Sequence, residues 1–161
     1  MNIAVGRIPR RCRDEISVWL QEQRFTHFIT LTTHDPSLTI EGARGRLKQW
    51  DARLNRALYG PKWAQKRDEL VWFFAFLEAP FSNPHWHLLL RVDDSPVTGK
   101  LIETRTPYDT VKRVWSRLAP AGTIDVQPVT DKIDTELVDY VGKQLGSVTR
   151  YTSFVTPDEF R

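Results

Sequence analysis

Apolar positions recur along this chain with two periods, and each marks an element. From Arg10 to Gln23 the spacing of Cys12, Ile16, Trp19, Leu20 and Gln23 predicts a helix. Phe25 to Thr33 is rich in β-branched and aromatic residues and predicts a strand, closed by a turn at His34-Asp35-Pro36-Ser37. Ala43, Leu47, Trp50, Leu54, Ala57 and Leu58 return at helical spacing and predict a helix from Ile40 to Tyr59, ended by Gly60-Pro61. Leu70 to Leu77 is apolar on both faces, as a central strand would be. Glu78 ends that run, and Ala79 to Pro84 is short enough to force the next strand, His85 to Val92, to return antiparallel.

After an irregular excursion from Asp93 to Pro107, a helix is expected at Tyr108–Leu118, with Val111, Val114, Trp115 and Leu118 inward. A strand follows at Thr123–Val129, with Ile124 and Val126 on one face. The last helix is expected at Asp131–Leu145, with Asp131 as N-cap and Ile133, Leu137, Val141 and Leu145 buried. The order helix, strand, helix, hairpin, helix, strand, helix predicts an α+β fold. It would be a central antiparallel sheet with helices packed mainly on one face and the other face partly open.

The 161 residues suit one domain, 1–161, with a core at about 25–145 and a tail at 146–161. A single cysteine, Cys12, rules out an intrachain disulfide and makes a cysteine-based zinc site implausible. With no membrane-spanning run and no signal-peptide pattern, the expectation is a cytoplasmic protein without a membrane partner. The net charge is only +3. From Arg44 to Arg67, however, eight Lys/Arg stand against Asp51 within the run and Glu41 just before it. A basic stripe of this kind suits a polyanion, although on one helix it more often marks a solvated face.

The candidate chemistry lies in Pro84-His85-Trp86-His87-Leu88-Leu89-Leu90. On a strand, His85 and His87 share a face and Trp86 takes the other with Leu88 and Leu90. A lone sheet histidine is usually a half-buried polar group bonded to its neighbours, but two at this spacing form a ready chelate. Glu78, across the turn, is the best carboxylate to join them if register brings it to the same face. On the last helix Tyr140 sits at the edge of the buried stripe, with Lys143 and Gln144 beside it. Taken alone, it would read as a boundary tyrosine with a wetted hydroxyl.

Three stretches occur in order: Phe28-Ile-Thr-Leu-Thr-Thr33, Pro84-His85-Trp86-His87-Leu88-Leu89-Leu90, and Tyr140-Val141-Gly142-Lys143. Together they resemble the three motifs of the HUH endonucleases, and the Tyr-x-x-Lys spacing most resembles single-tyrosine rolling-circle replication initiators. That resemblance implies an HUH/RRM-like fold with the nucleophile helix beside the open face. It implies metal-dependent nicking and joining of single-stranded DNA through a 5′-phosphotyrosine. Tyr140 would be the nucleophile and Lys143 would orient the phosphate or stabilise the phenolate. His85, His87 and Glu78 would hold Mn²⁺ or Mg²⁺, with Gln144 the alternative third ligand. Thr30, Thr32, Arg44, Arg53, Arg56 and Arg91 are the candidate DNA-binding residues. The expected partner is single-stranded DNA at an origin carrying a hairpin. Since the chain has no P-loop, unwinding would fall to a host helicase. A single-tyrosine transposase or mobilisation relaxase would share the chemistry, and an RRM-like binding module would share the fold without it. No RNP1-type aromatic pattern is present to support the last.

Overall fold

The computed structural model describes residues 10–66, 70–92, 106–129, 136, 137, 140 and 154–161. Among the described residues, three continuous helices, α1 (Arg10–Glu22), α2 (Ile40–Tyr59) and α3 (Thr106–Leu118), accompany five strands. The strands are β1 (His27–Thr32), β2 (Trp72–Glu78), β3 (His85–Arg91), β4 (Ile124–Pro128) and β5 (Phe154–Val155). They form one sheet in the order β4-β1-β3-β2-β5, with every neighbouring pair antiparallel. The protein is thus α+β, as the alternation of periods predicts. None of the described helices is long and apolar enough to cross a membrane.

The two faces of the sheet are built from alternate residues of the same strands. One face presents Ile29, Leu31, Phe73, Ala75, Leu77, Trp86, Leu88 and Leu90, all nearly inaccessible, to α2 and α3. Each fully buried aliphatic or phenyl side chain contributes about 1.5–3 kcal/mol, so this layer supplies most of the driving force. Trp86 also donates its indole N–H to the Ala43 carbonyl of α2 at 3.1 Å, tying the middle of the histidine strand to that helix. Helix α2 starts where Thr39 accepts a hydrogen bond from the Gly42 N–H and stops at Gly60, whose φ of 87° suits only glycine comfortably.

The expected stripe on α2 differs at its end. Ala57 is exposed, whereas Asp51 and Asn55 are buried. Polar partners account for this: Asn55 bonds Asp51 and the Val71 N–H, and Arg161 reaches Asp51 at 2.8 Å and the Val71 carbonyl at 2.7 Å. Burial pushes the Asp51 carboxyl up, against the opposing pull of Arg161 and Asn55. Arg161 belongs to the stretch expected as a tail. Residues 154–161 instead add β5 to the edge of β2 and a turn of 3₁₀ helix at Pro157–Glu159. Trp72 bonds Asp158 and Arg44 bonds Glu159, which holds that segment against the sheet edge.

On the opposite face, Phe74, Phe76 and Leu89 meet Leu20, Phe25 and Leu137 in a second, smaller apolar cluster. This face is therefore covered at one end by α1 and beside the site by the segment holding Leu137 and Tyr140. Trp19, on the expected inner side of α1, keeps 39% of its surface exposed, and the side chains of Cys12 and Ile16 lie outside the described set. Glu136, Leu137 and Tyr140 are the described residues of the expected last helix, and all three are helical. Asp131, Ile133, Val141, Lys143, Gln144 and Leu145 lie outside the described residues.

Candidate active site

The hairpin decides the register that sequence left open. Glu78 pairs directly with His85, so Glu78, His85 and His87 all point to the second face. Ala79 makes the bend with a φ of 49°, and its carbonyl accepts the N–H groups of Ser82 and Asn83, both at 3.1 Å. The carboxylate ends one strand and the histidines begin the next, so a short, internally bonded loop fixes their separation.

Glu78 Oε2 is the point of convergence. His87 Nε2 lies 2.7 Å away, His85 Nε2 3.2 Å away, and the Tyr140 hydroxyl donates to it at 3.1 Å. Among the described residues, Glu78, His85 and His87 are the one group of three metal-ligating side chains whose donor atoms all lie within 4.8 Å of each other. Their other ring nitrogens are held from behind. His85 Nδ1 donates to the Asn83 carbonyl at 2.8 Å, and His87 Nδ1 shares a 3.0 Å hydrogen bond with Thr30 Oγ1. Fixing Nδ1 presents Nε2 forward, the arrangement that orients metal-bound histidines.

His87 stands between two phenyl rings. Phe28 stacks on it at 5.5 Å with an interplanar angle of 7°, and Phe76 lies 5.3 Å away on the neighbouring strand. That burial is the main reason its imidazole is held below the usual histidine range, with the His85 charge adding and Glu78 opposing. Neutral imidazole is the form that binds metal. For Glu78, burial alone would push the carboxyl up, but hydrogen bonds from His87 and Tyr140 and the charges of both histidines hold it below its ordinary value. The donor set of two imidazole nitrogens and one ionised carboxylate fits a divalent cation.

The remaining sequence candidates fall in different places. Thr30 and Thr32 are on the site face. Thr30 is taken up by His87, while Thr32 bonds Thr123 at 2.6 Å and His34 at 3.2 Å. Gly122 permits this corner, since a Cβ there would stand 2.1 Å from the Thr32 carbonyl. Arg91 shares the face but sits six residues, about 20 Å, along the strand from His85. There it bonds Gln23 at 3.0 Å and covers the Trp72 ring. Arg53 and Arg56 are exposed on α2, which packs on the opposite face of the sheet. Arg44 bonds Glu159 and the Phe154 carbonyl. Lys143 and the alternative ligand Gln144 lie outside the described residues. Sequence reasoning missed the Asn83 carbonyl and the Phe28 stack, and it did not anticipate the role of Thr30 as hydrogen-bond partner of His87 Nδ1. Only the β1–β3 register, Thr30 opposite His87, reveals that role.

Fold and site together define an antiparallel α+β protein whose sheet carries a two-histidine, one-carboxylate cluster in contact with a tyrosine. No known family model matches the chain, and no curated protein does. Among solved structures, it is similar to the N-terminal nuclease domain of non-structural protein-1 of minute virus of mice. That structure is described as showing a unique Zn²⁺ coordination in its active-site pocket and a novel mode of DNA recognition at the origin of replication. The identity is 14% and the TM-score 0.29, over 89% of this chain and 71% of that one, a similarity too small to define an activity.

Proposed function

We propose that this protein nicks and rejoins single-stranded DNA through a tyrosine-linked intermediate, initiating rolling-circle replication. The observation that carries the reading is the hydrogen bond from the Tyr140 hydroxyl to the same Glu78 oxygen on which both histidines converge. A phenol needs its proton removed to attack, and this one is already aimed at an ionised carboxylate. The Tyr140 oxygen forms a bond to phosphorus while the bond from phosphorus to the 3′ oxygen breaks. The phenolic proton is released to solvent and the departing 3′ oxygen takes one up from solvent, leaving a 5′-phosphotyrosine and a free 3′-OH. One phosphodiester replaces another, so the strand can be resealed by the reverse path. Lys143 is assigned to the phosphate or the phenolate on the strength of its spacing from Tyr140.

His85, His87 and Glu78 would hold the divalent ion, which would polarise the phosphate and screen its charge. Two imidazoles favour Mn²⁺ over the harder Mg²⁺. Thr30 and Asn83 keep the imidazoles aimed, and Phe28 and Phe76 exclude water from one of them.

The test is incubation with fluorescent single-stranded oligonucleotides and Mn²⁺, followed by denaturing electrophoresis. A covalent protein–DNA adduct is expected from the wild type. It should be absent with chelator and with Tyr140→Phe. An adduct that survives Tyr140→Phe at normal rate removes the nucleophile assignment, and a wild type that never forms one removes the whole reading.

A further inference from the structure

Beside Tyr140 the second face holds a groove of about 430 Å³, lined by Phe28, His87, Gln127, Glu136, Leu137 and Tyr140. That volume falls within the roughly 300–1,000 Å³ of small-molecule sites. Its floor spans β1 and β4, where Phe28 and Gln127 are opposite partners, and its wall is the segment carrying Leu137 and the nucleophile. Whatever occupies it touches the residue that attacks.

The lining is suited to a base rather than to a phosphate. The Phe28 ring, already parallel to the His87 imidazole, and the Leu137 side chain offer stacking and apolar surface. Besides His87 and Tyr140 of the cluster, the described polar lining is the exposed Glu136 carboxylate and the Gln127 amide, and Gln127 donates one hydrogen to Asp125 at 2.7 Å. The Glu136 carboxylate repels a phosphodiester but accepts N–H groups. A carboxylate fork accepts two parallel N–H bonds best, and among the four bases only guanine presents two adjacent donors, N1–H and the 2-amino group. Adenine and cytosine set an acceptor nitrogen beside their amino group, and thymine flanks its single N–H with carbonyls.

Resting on the proposed nicking reaction, we infer that this groove is a specificity subsite that holds one unpaired guanine next to the cleaved bond. Glu136 reads its Watson–Crick edge. The Gln127 amide makes a second contact, and Phe28 carries the base plane.

The experiment is to capture covalent adducts from a random single-stranded DNA pool with Mn²⁺, sequence them, and repeat with Glu136→Gln. Guanine should be enriched at one position within about two nucleotides of the cut. Replacing that guanine by inosine, which lacks the 2-amino group, should slow adduct formation by roughly ten- to hundredfold in the wild type. Glu136→Gln should bring the two oligonucleotides within about threefold of each other, since the paired acceptor is gone. Adducts without guanine enrichment, or an inosine substitution without effect on the wild type, overturn the subsite while leaving the nicking reaction standing. A Glu136→Gln protein that keeps the full guanine preference does the same. The inosine arm uses unaltered protein, so it decides the matter even if the variant is unstable. If no adduct forms from any sequence, nicking and subsite fall together.

Discussion

The two faces of this sheet share the same strands and follow opposite rules. Along β3, Trp86, Leu88 and Leu90 are sealed against α2 and α3, whereas His85 and His87 on the alternate positions keep part of their surface. The sealed face is apolar except for His27 at its margin. The other is divided lengthwise: its α1 end is apolar, and its hairpin end is a polar cluster around Glu78. The contrast teaches that a strand can supply packing energy through one set of side chains and chemistry through the other, with little cross-talk between them.

That separation makes unequal demands on substitutions. The largest expected effect is on the working face. On the proposed mechanism, His87→Ala should lower adduct formation on the order of a thousandfold, because the proposed ligand and its charge compensation are lost together. Its urea midpoint should stay near that of the wild type. If activity and stability fall together, the faces are not separable. Next is Leu88→Ala, one residue away but on the sealed face. It should cost about 2–5 kcal/mol by urea denaturation while leaving adduct formation per folded molecule unchanged. A smaller effect is expected of Thr30→Val, which keeps the shape of the side chain and removes the hydroxyl behind His87 Nδ1. Affinity for Mn²⁺, read by calorimetry, should drop roughly ten- to hundredfold with thermal stability little changed. An unchanged affinity would mean that the Phe28 and Phe76 rings alone aim the imidazole.

The smallest effect is one of pH. Burial holds the His27 imidazole below its ordinary value. A group with a depressed folded value favours the fold while the unfolded chain is neutral too, and it withdraws that support as pH falls through the folded value. Stability of the metal-free protein should therefore decline as pH drops below about 6.5. His27→Gln should flatten part of that decline. Above the carboxylate range the remainder belongs to His87, which is shifted in the same direction. A slope unaffected by the substitution would assign all of the decline to the working face.

Much of this was legible in the sequence because period is a local property. Strands β1 to β4, helices α2 and α3, the antiparallel hairpin and the inward turn of Trp86 follow from alternation or helical spacing, whereas β5 falls in the stretch expected as a tail. The pairing of Glu78 with His85 needed the register, which the bend at Ala79 sets and no spacing rule reports. The burial of Asp51 escaped because a carboxylate reads as surface until its partner is known. That partner, Arg161, lies 110 positions away. The basic stripe on α2 was visible from composition, but only topology shows that its exposed Arg53 and Arg56 lie across the sheet from the cluster.

Trp86 lies between the two histidines in sequence and beneath them in space, its indole bonded to Ala43. A slip of β3 by one residue would carry both imidazoles into the apolar layer and expel the indole to solvent. No partly slipped state keeps both imidazoles beside Glu78, so the cluster should be gained or lost in a single cooperative event. Tryptophan emission and Mn²⁺ release, followed on the same unfolding trace, should share one midpoint.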